Sequence, residues 1–129
     1  MALLLDTHIW LWYLLGSERL PPSARELITG ASSDLWLSPI SVWEASLLVQ
    51  RRRLHLDRSF DAWLPLALQQ LPIRDAPLTR EVSRLPYGLP LPHRDPADRF
   101  LAATALTYGL TLVTVDQRLQ EATWLRTAS

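Results

Sequence analysis

Residues 95 to 116 have the pattern of a helix followed by a strand, and this pair constrains the fold more than any other part of the chain. Asp95 is suited to cap a helix N-terminus, and Pro96 fits the first helical position. An Ala- and Leu-rich body runs to Tyr108, and Gly109 can end the helix in the left-handed conformation. The apolar, β-branched residues 110–115 then predict a strand. Together they form half of an α/β repeat.

The same alternation extends over the rest of the chain. Strands are predicted at residues 2–5, 34–37, 71–74, 110–115 and 123–126. Helices are predicted at residues 9–15, 21–30, 38–53, 57–70, 95–108 and 117–122, with another helical turn or two between 78 and 85. Pro65 must either kink or delimit the helix at 57–70. We therefore expect one Rossmann-like, three-layer α/β/α domain over residues 1–129, with a mainly parallel sheet of four to five strands and residues 2–5 at its centre.

Composition excludes several classes of protein. The 129 residues are 48% hydrophobic and 20% charged, as in a globular domain rather than a disordered chain. Without cysteine there is neither a disulfide framework nor a thiolate metal site. The N-terminus has no basic region before its apolar run, and no apolar stretch approaches the ~18 residues that span a bilayer. We expect a cytoplasmic protein.

The charge balance narrows the chemistry further. The 13 acidic and 13 basic residues give a net charge of zero, which argues against indiscriminate coating of nucleic acid but permits a local basic rim. Every basic residue is an arginine, so reactions that require a lysine are excluded.

Four acidic residues are expected at the edge of the sheet where the strands end. Asp6 follows the first strand directly and Asp116 follows the strand at 110–115. Glu44 and Asp98 lie near the starts of helices whose N-termini face the same edge. In open parallel sheets this edge carries the functional site.

Each acid also has a purely structural interpretation. Asp6 and Asp116 could be N-caps, and Asp98 favours the helix dipole wherever it points. Ser41 and Glu44 have the spacing of a capping box, although Ser38 before a proline is the better helix start. A structural role of this kind could account for any one of these acids. It does not readily account for four acids at the same edge of the sheet.

The chemistry of several neighbouring carboxylates favours a metal. Their mutual repulsion forces one of them to take up a proton unless a cation neutralises them. Oxygen ligands without cysteine suit Mg²⁺ or Mn²⁺, which would also take phosphate oxygens as ligands. A metal-independent acid–base mechanism using His8 or His93 is the competing hypothesis, whereas His55 lies in a charged turn.

At this point the chain resembles the PIN-domain family, specifically the VapC-type toxin ribonucleases of VapBC toxin–antitoxin systems. The resemblance covers nearly the whole length and rests on an ordered set of segments: Leu5-Asp6-Thr7-His8, residues 38–44 (SPISVWE), residues 93–103 (HRDPADRFLAA) and Thr114-Val115-Asp116.

The resemblance implies a set of site residues. The metal-binding and catalytic acids would be Asp6, Glu44, Asp98 and Asp116. Thr114 and Thr7 would support them by hydrogen bonding to ligands or water. From the residues themselves, Asp95 is expected to cap its helix and to pair with Arg99 four residues later.

The resemblance also implies an activity and partners. It implies a Mg²⁺- or Mn²⁺-dependent endoribonuclease that acts on structured RNA such as tRNA or rRNA and leaves a 5′-phosphate. It further implies a homodimer and a small antitoxin that wraps the toxin, with the helices at 9–15 and from Val42 as candidate faces. Arg51, Arg52 and Arg53 suit a solvated helix end and could also contact RNA phosphates.

Other function classes fit less well. A haloacid-dehalogenase-like phosphatase needs a second Asp where this chain has His8, and normally a lysine. Phosphoacceptor and P-loop chemistry also need a lysine. The remaining alternative is a catalytically inactive domain of the same fold that binds RNA or protein.

Overall fold

The structure, a computed structural model, describes residues 1–30, 34–92 and 94–129. These residues form five strands: β1 (Ala2–Leu5), β2 (Asp34–Leu37), β3 (Arg74–Asp75), β4 (Thr111–Val113) and β5 (Thr127–Ala128). Their helices are α1 (Thr7–Leu15), α2 (Pro22–Thr29), α3 (Pro39–Gln50), α4 (Phe60–Gln70), α5 (Arg80–Ser83), α6 (Pro96–Tyr108) and α7 (Gln117–Gln120), with a 3₁₀ turn at Pro86–Gly88. None of the described helices is long and apolar enough to cross a membrane.

All five strands form one parallel sheet in the order β3–β2–β1–β4–β5. β1 lies at the centre, as predicted, because Leu3, Leu4 and Leu5 are apolar on both faces and fully buried. The chain first builds the β2–β3 side of β1 and then returns to build the β4–β5 side. This reversal opens a crevice at the carboxyl ends of β1 and β4, where such sheets bind ligands.

Helices cover both faces of the sheet. Leu3 and Leu5 of β1 belong to one hydrophobic cluster, with residues of α1 to α4, whereas Leu4 between them belongs to a second cluster with α6 and α7. This alternation follows from the two-residue side-chain period of a strand. The expected three-layer α/β/α architecture is confirmed.

The unit that begins at Asp95 is the best-predicted helix. The Asp95 side chain accepts a hydrogen bond from the backbone N–H of Ala97 at 2.9 Å, and Gly109 ends α6 at a φ of +65°. β4, however, ends at Val113 rather than residue 115, so the prediction that Asp116 directly follows the strand is wrong. Thr114 lies beyond the strand but is fully buried, since its N–H donates to Ala128 O at 3.0 Å and its hydroxyl donates to Asp6 in the crevice.

Both edge strands differ from the prediction. β3 is the charged pair Arg74–Asp75 and not residues 71–74, because buried Leu71 ends α4 and Pro72 has no N–H for the ladder. β5 is Thr127–Ala128 and not residues 123–126, because Leu125 packs into the core from a turn before pairing begins.

Two helices also differ from the prediction. α4 begins at Phe60 rather than residue 57, after the Ser59 hydroxyl accepts from the N–H of Ala62 at 3.2 Å, and Pro65 lies inside the helix without dividing it. α3 ends at Gln50, before the arginines. The expectations placed on His93 fall outside the described residues.

Candidate functional site

Asp98, in the first turn of α6, lies at the electrostatic centre of the crevice. Burial raises its pKa most, and the charges of Asp6, Asp95, Asp116 and Glu44 raise it further, to about 7. The carboxylates come from four separate elements, and each contributes to the same shift. The other acids are therefore close enough to Asp98 for their charges to act on it.

Asp6 is placed by the central strand and is 9% exposed. Its backbone N–H donates to Val113 O at 3.0 Å, so the pairing of β1 with β4 continues up to the site. Asp6 occupies the N-cap position of α1, but its side chain makes no capping hydrogen bond, so capping does not account for the carboxylate. Burial raises the pKa of this carboxyl, while a hydrogen bond from Thr114 lowers it.

Thr114 joins two of the acids through one hydroxyl group. Its Oγ1 donates to Asp6 Oδ2 at 2.7 Å and accepts from the backbone N–H of Asp116 at 3.0 Å. The hydrogen bond expected of Thr114 is thus present in the structure. Asp116 also caps α7, because its Oδ1 accepts from the N–H of Arg118 at 2.9 Å. The structural interpretation of Asp116 as a helix cap is confirmed, and its charge also raises the pKa of Asp98.

Glu44 lies in the second turn of α3, since Ser38 is the N-cap and accepts from the N–H of Ile40 at 3.1 Å. Burial raises the pKa of Glu44 most, the Thr7 hydroxyl lowers it, and the charge of Asp6 raises it. Thr7 and Ser41 are fully buried, and their hydroxyl groups are hydrogen-bonded at 2.9 Å. The capping box of Ser41 with Glu44 is not formed.

Ser41 is the site residue that sequence reasoning missed. It lies three residues before Glu44, on the same face of α3, and its partner Thr7 directly follows Asp6. The sequence does contain a signal for Ser41. If Ser38 is the N-cap, Ser41 lies inside the helix, where a buried hydroxyl needs a hydrogen-bond partner. The hydroxyl of Ser41 therefore connects α3, which carries Glu44, to Thr7 just beyond the end of β1.

Asp95 and Arg99 take different places around α6. Asp95 is an exposed N-cap whose charge adds to the repulsion at Asp98 and Glu44. The Arg99 guanidinium donates to three backbone carbonyls, those of Pro86 at 2.8 Å, Leu89 at 3.0 Å and Leu91 at 2.7 Å. It therefore fastens the proline-rich segment to the helix that carries Asp98.

His8 is the histidine that the structure places beside the acids. It is exposed on α1, its ring centroid lies 5.8 Å from that of Trp12, and its charge lowers the pKa of both Asp6 and Glu44. His55 is exposed in the segment between α3 and α4.

The donor set fits a hard divalent cation, although no three His, Asp or Glu side chains among the described residues are gathered closely enough to enclose one. All the candidate ligands are carboxylates, the type that Mg²⁺ and Mn²⁺ prefer. A cation would also offset the repulsion that raises the pKa of Asp98. Asp6, Glu44, Asp98 and Asp116 are the residues that could share it.

Comparison with known proteins identifies the family of this chain. The PIN domain family model matches residues 3–125. The chain belongs to the PIN-domain family. Among curated proteins, Ribonuclease VapC22 of Mycobacterium tuberculosis is 35% identical over 120 residues, which cover 92% of this chain and 90% of that protein. All four acids of this PIN domain lie within the matched residues.

Solved structures share the fold of this PIN domain. VapBC-1 from nontypeable Haemophilus influenzae superposes with a TM-score of 0.69 at 18% identity, covering 100% of this chain and 98% of that chain. A toxin–antitoxin complex from Klebsiella pneumoniae gives a TM-score of 0.65 at 15% identity, with 98% and 95% covered. At these identities the likeness establishes the fold alone.

Proposed function

We propose that this PIN domain is the toxin of a toxin–antitoxin pair and a divalent-metal-dependent endoribonuclease. The observation that carries the proposal is the group of carboxylates around Asp98, where burial and then the charges of the neighbouring acids raise the pKa of Asp98 to about 7. A protein that only binds a partner gains nothing from keeping mutually repelling acids half-buried together. The relative VapC22, at 35% identity, is named a ribonuclease.

In this proposal Asp6, Glu44, Asp98 and Asp116 hold Mg²⁺ or Mn²⁺. Such an ion lowers the pKa of a bound water and stabilises charge on the leaving oxygen of a phosphodiester. Thr114 orients Asp6 and favours its ionised form through its 2.7 Å hydrogen bond, against the effect of burial. The Thr7 hydroxyl lowers the pKa of Glu44 in the same way, and a hydrogen bond to Ser41 holds Thr7 in place.

The proposed function also implies a substrate, a partner protein and an assembly. RNA is the substrate, with a structured tRNA or rRNA as the class that the family resemblance implies. A small antitoxin covers the site, which is supported by a toxin–antitoxin complex among the solved structures of this fold. A homodimer is the expected assembly.

Cleavage of RNA by the purified, antitoxin-free protein tests the proposal. We expect cleavage of total cellular RNA with Mg²⁺ or Mn²⁺, its loss in EDTA, and its loss in Asp98→Asn by at least roughly a hundredfold. Asp61→Asn is the matched control, because Asp61 is an exposed acid in the first turn of α4.

Two results would count against the proposal. Cleavage by Asp98→Asn at the wild-type rate would show that the metal site is assigned wrongly. Absence of both cleavage and Mn²⁺ binding in the wild type would favour the inactive RNA- or protein-binding module.

A further inference from the structure

A cavity of about 410 Å³ opens beside the carboxylates, between α3 and the start of α6. Its polar lining consists of Glu44, Asp95, His8 and two arginines, and its apolar lining comes mainly from α3. The residues that matter here are Trp43, Glu44, Leu47, Arg51, Arg53 and Asp95. The cavity therefore runs from Glu44, one of the candidate metal ligands, to the far end of α3.

One face of α3 forms the wall of this cavity. Glu44, Leu47 and Arg51 are spaced three and four residues apart, so they lie one above the other on the helix. From Glu44 to Arg51 the helix rises about 10 Å, at 1.5 Å per residue. That rise corresponds to roughly two to three stacked nucleotides, at about 3.4 Å each along one strand.

In the turn after α3, Arg51 and Arg53 line the cavity, whereas Arg52 between them does not. Arg52 has a φ of +58°, and it is the single non-glycine residue with positive φ in the described part of the chain. The N–H of Arg53 closes the turn on Leu48 O at 2.8 Å. This left-handed residue reverses the chain, so that Arg51 and Arg53 line the cavity while Arg52 does not.

The two arginines of the cavity have no protein partner for their charge. Some of the exposed arginines form ion pairs, such as Arg58 with Asp57 at 2.9 Å and Arg84 with Glu81 at 2.7 Å. Within residues 1–30, 34–92 and 94–129, no hydrogen bond or ion pair involves the side chain of Arg51 or Arg53. Two free guanidinium groups beside an acidic metal-type site are complementary to a polyanion that approaches that site.

Trp43 adds an aromatic surface at the acidic end of the cavity. It directly precedes Glu44, and 48% of its surface is exposed although indole is among the most apolar side chains. An exposed aromatic ring in the same cavity as arginines is a combination that stacks on bases and binds the phosphates of a single strand.

We propose that this face of α3 binds single-stranded RNA on one side of the scissile phosphate. Trp43 stacks on a base near the cut, and Arg51 and Arg53 bind phosphates roughly two to three nucleotides away. The cavity has the volume of about one drug-sized ligand and is too small for a duplex, which favours an unpaired strand. The inference rests on the proposed ribonuclease function and names how its substrate is held.

Binding of RNA without cleavage gives the first test. A fluorescein-labelled, unstructured 12-nucleotide RNA is titrated into protein carrying Asp98→Asn, and anisotropy is measured between low and high salt. Arg51→Ala and Arg53→Ala should each weaken binding and reduce the slope of log K against log salt by about 0.7. Trp43→Ala should weaken binding roughly tenfold without changing the slope, and Trp43→Phe should restore most of it.

Arg52→Ala is the matched control, because it removes the same charge from the same turn but outside the cavity. Equal effects of Arg51→Ala and Arg52→Ala would overturn the inference, since they would show that only non-specific electrostatic attraction of RNA is lost. Unchanged RNA binding with weakened antitoxin binding in Arg51→Ala and Arg53→Ala would also overturn it, and would assign the face to the partner protein.

Cleavage kinetics separate this inference from the function on which it rests. In otherwise wild-type protein, Arg51→Ala should raise KM for the 12-nucleotide RNA and leave a dinucleotide substrate unaffected, because the dinucleotide cannot reach Arg51. If the wild type cleaves RNA and these variants cleave it equally well, the inference is wrong and the function stands. If the wild type neither cleaves total cellular RNA nor binds Mn²⁺, the proposed function itself fails.

Discussion

Asp98 determines how the stability of the metal-free protein depends on pH. Its pKa is about 7 in the folded state against 3.8 for an ordinary Asp, so the folded state binds a proton more tightly than the unfolded state. This contribution to stability is complete below about pH 4 and is lost as pH rises through 7. The raised pKa values of Asp6 and Glu44 act in the same direction.

We therefore predict that the melting temperature in EDTA falls between pH 5 and pH 8. Adding Mn²⁺ at pH 8 should recover it, because the ion replaces the missing proton as counter-charge. Asp98→Asn should flatten the profile and raise the stability at pH 8 by roughly 1 kcal/mol, discounted for its partial exposure. A melting temperature in EDTA that rises over this interval would contradict the electrostatic description of the site.

Thr114 tests how far one hydroxyl group supports the acids. Thr114→Val keeps the shape but leaves buried Asp6 without its 2.7 Å donor and the Asp116 N–H without its acceptor. We expect a loss of roughly 1–3 kcal/mol in unfolding free energy and a fall in RNA cleavage of about 10- to 100-fold.

Thr107→Val is the control for Thr114, because Thr107 bonds only along its own helix, to Ala103 O at 2.9 Å. The two variants are compared by urea unfolding and initial cleavage rates. Equal effects in both variants would show that Thr114 has no special role.

At the scale of elements, α6 and the proline-rich segment before it form a unit through Arg99. A lysine at this position cannot reach the three carbonyl groups of Pro86, Leu89 and Leu91 with one ammonium group. We predict that Arg99→Lys costs about 1–2 kcal/mol and speeds chymotrypsin cleavage after Tyr87, which is 98% exposed. Arg84→Lys, in an exposed ion pair, should change neither the stability nor the cleavage rate. Equal rates of cleavage after Tyr87 in the two variants would contradict the role given to Arg99.

The elements that carry the site were predictable because their signals are local. Asp95, Pro96 and Gly109 specify the ends of α6 by their own backbone chemistry, and an all-apolar β1 can only be a central strand. The edge strands β3 and β5 were misplaced because pairing with a neighbour, and not their own composition, determines their positions.

The positions of the candidate acids in the fold were predictable, and the hydrogen bonds around them only in part. An acid after a strand or at a helix start reaches the carboxyl edge of the sheet whatever the loops do. The Thr7–Ser41 contact joins residues 34 positions apart, and Arg99 binds carbonyl groups in an irregular segment. Such contacts depend on tertiary packing and leave little pattern in the sequence.

At the scale of the whole molecule, the sheet reversal, the acids and the face of α3 meet on one side. β1 and β4 bring Asp6 and Asp116 together, α6 adds Asp98, and α3 adds Glu44. The chain has no net charge, so attraction of RNA depends on where its arginines lie rather than on their number. Arg51 and Arg53 lie where a strand leaving the acids would pass.

The central claim is that these four acids form one divalent-cation site, and Mn²⁺ titration by calorimetry at pH 7.5 tests it most directly. We predict that the wild type and Asp61→Asn bind Mn²⁺ alike, whereas Asp98→Asn loses at least roughly tenfold in affinity. Binding by Asp98→Asn as tight as by the wild type, or no binding by the wild type, would contradict the claim.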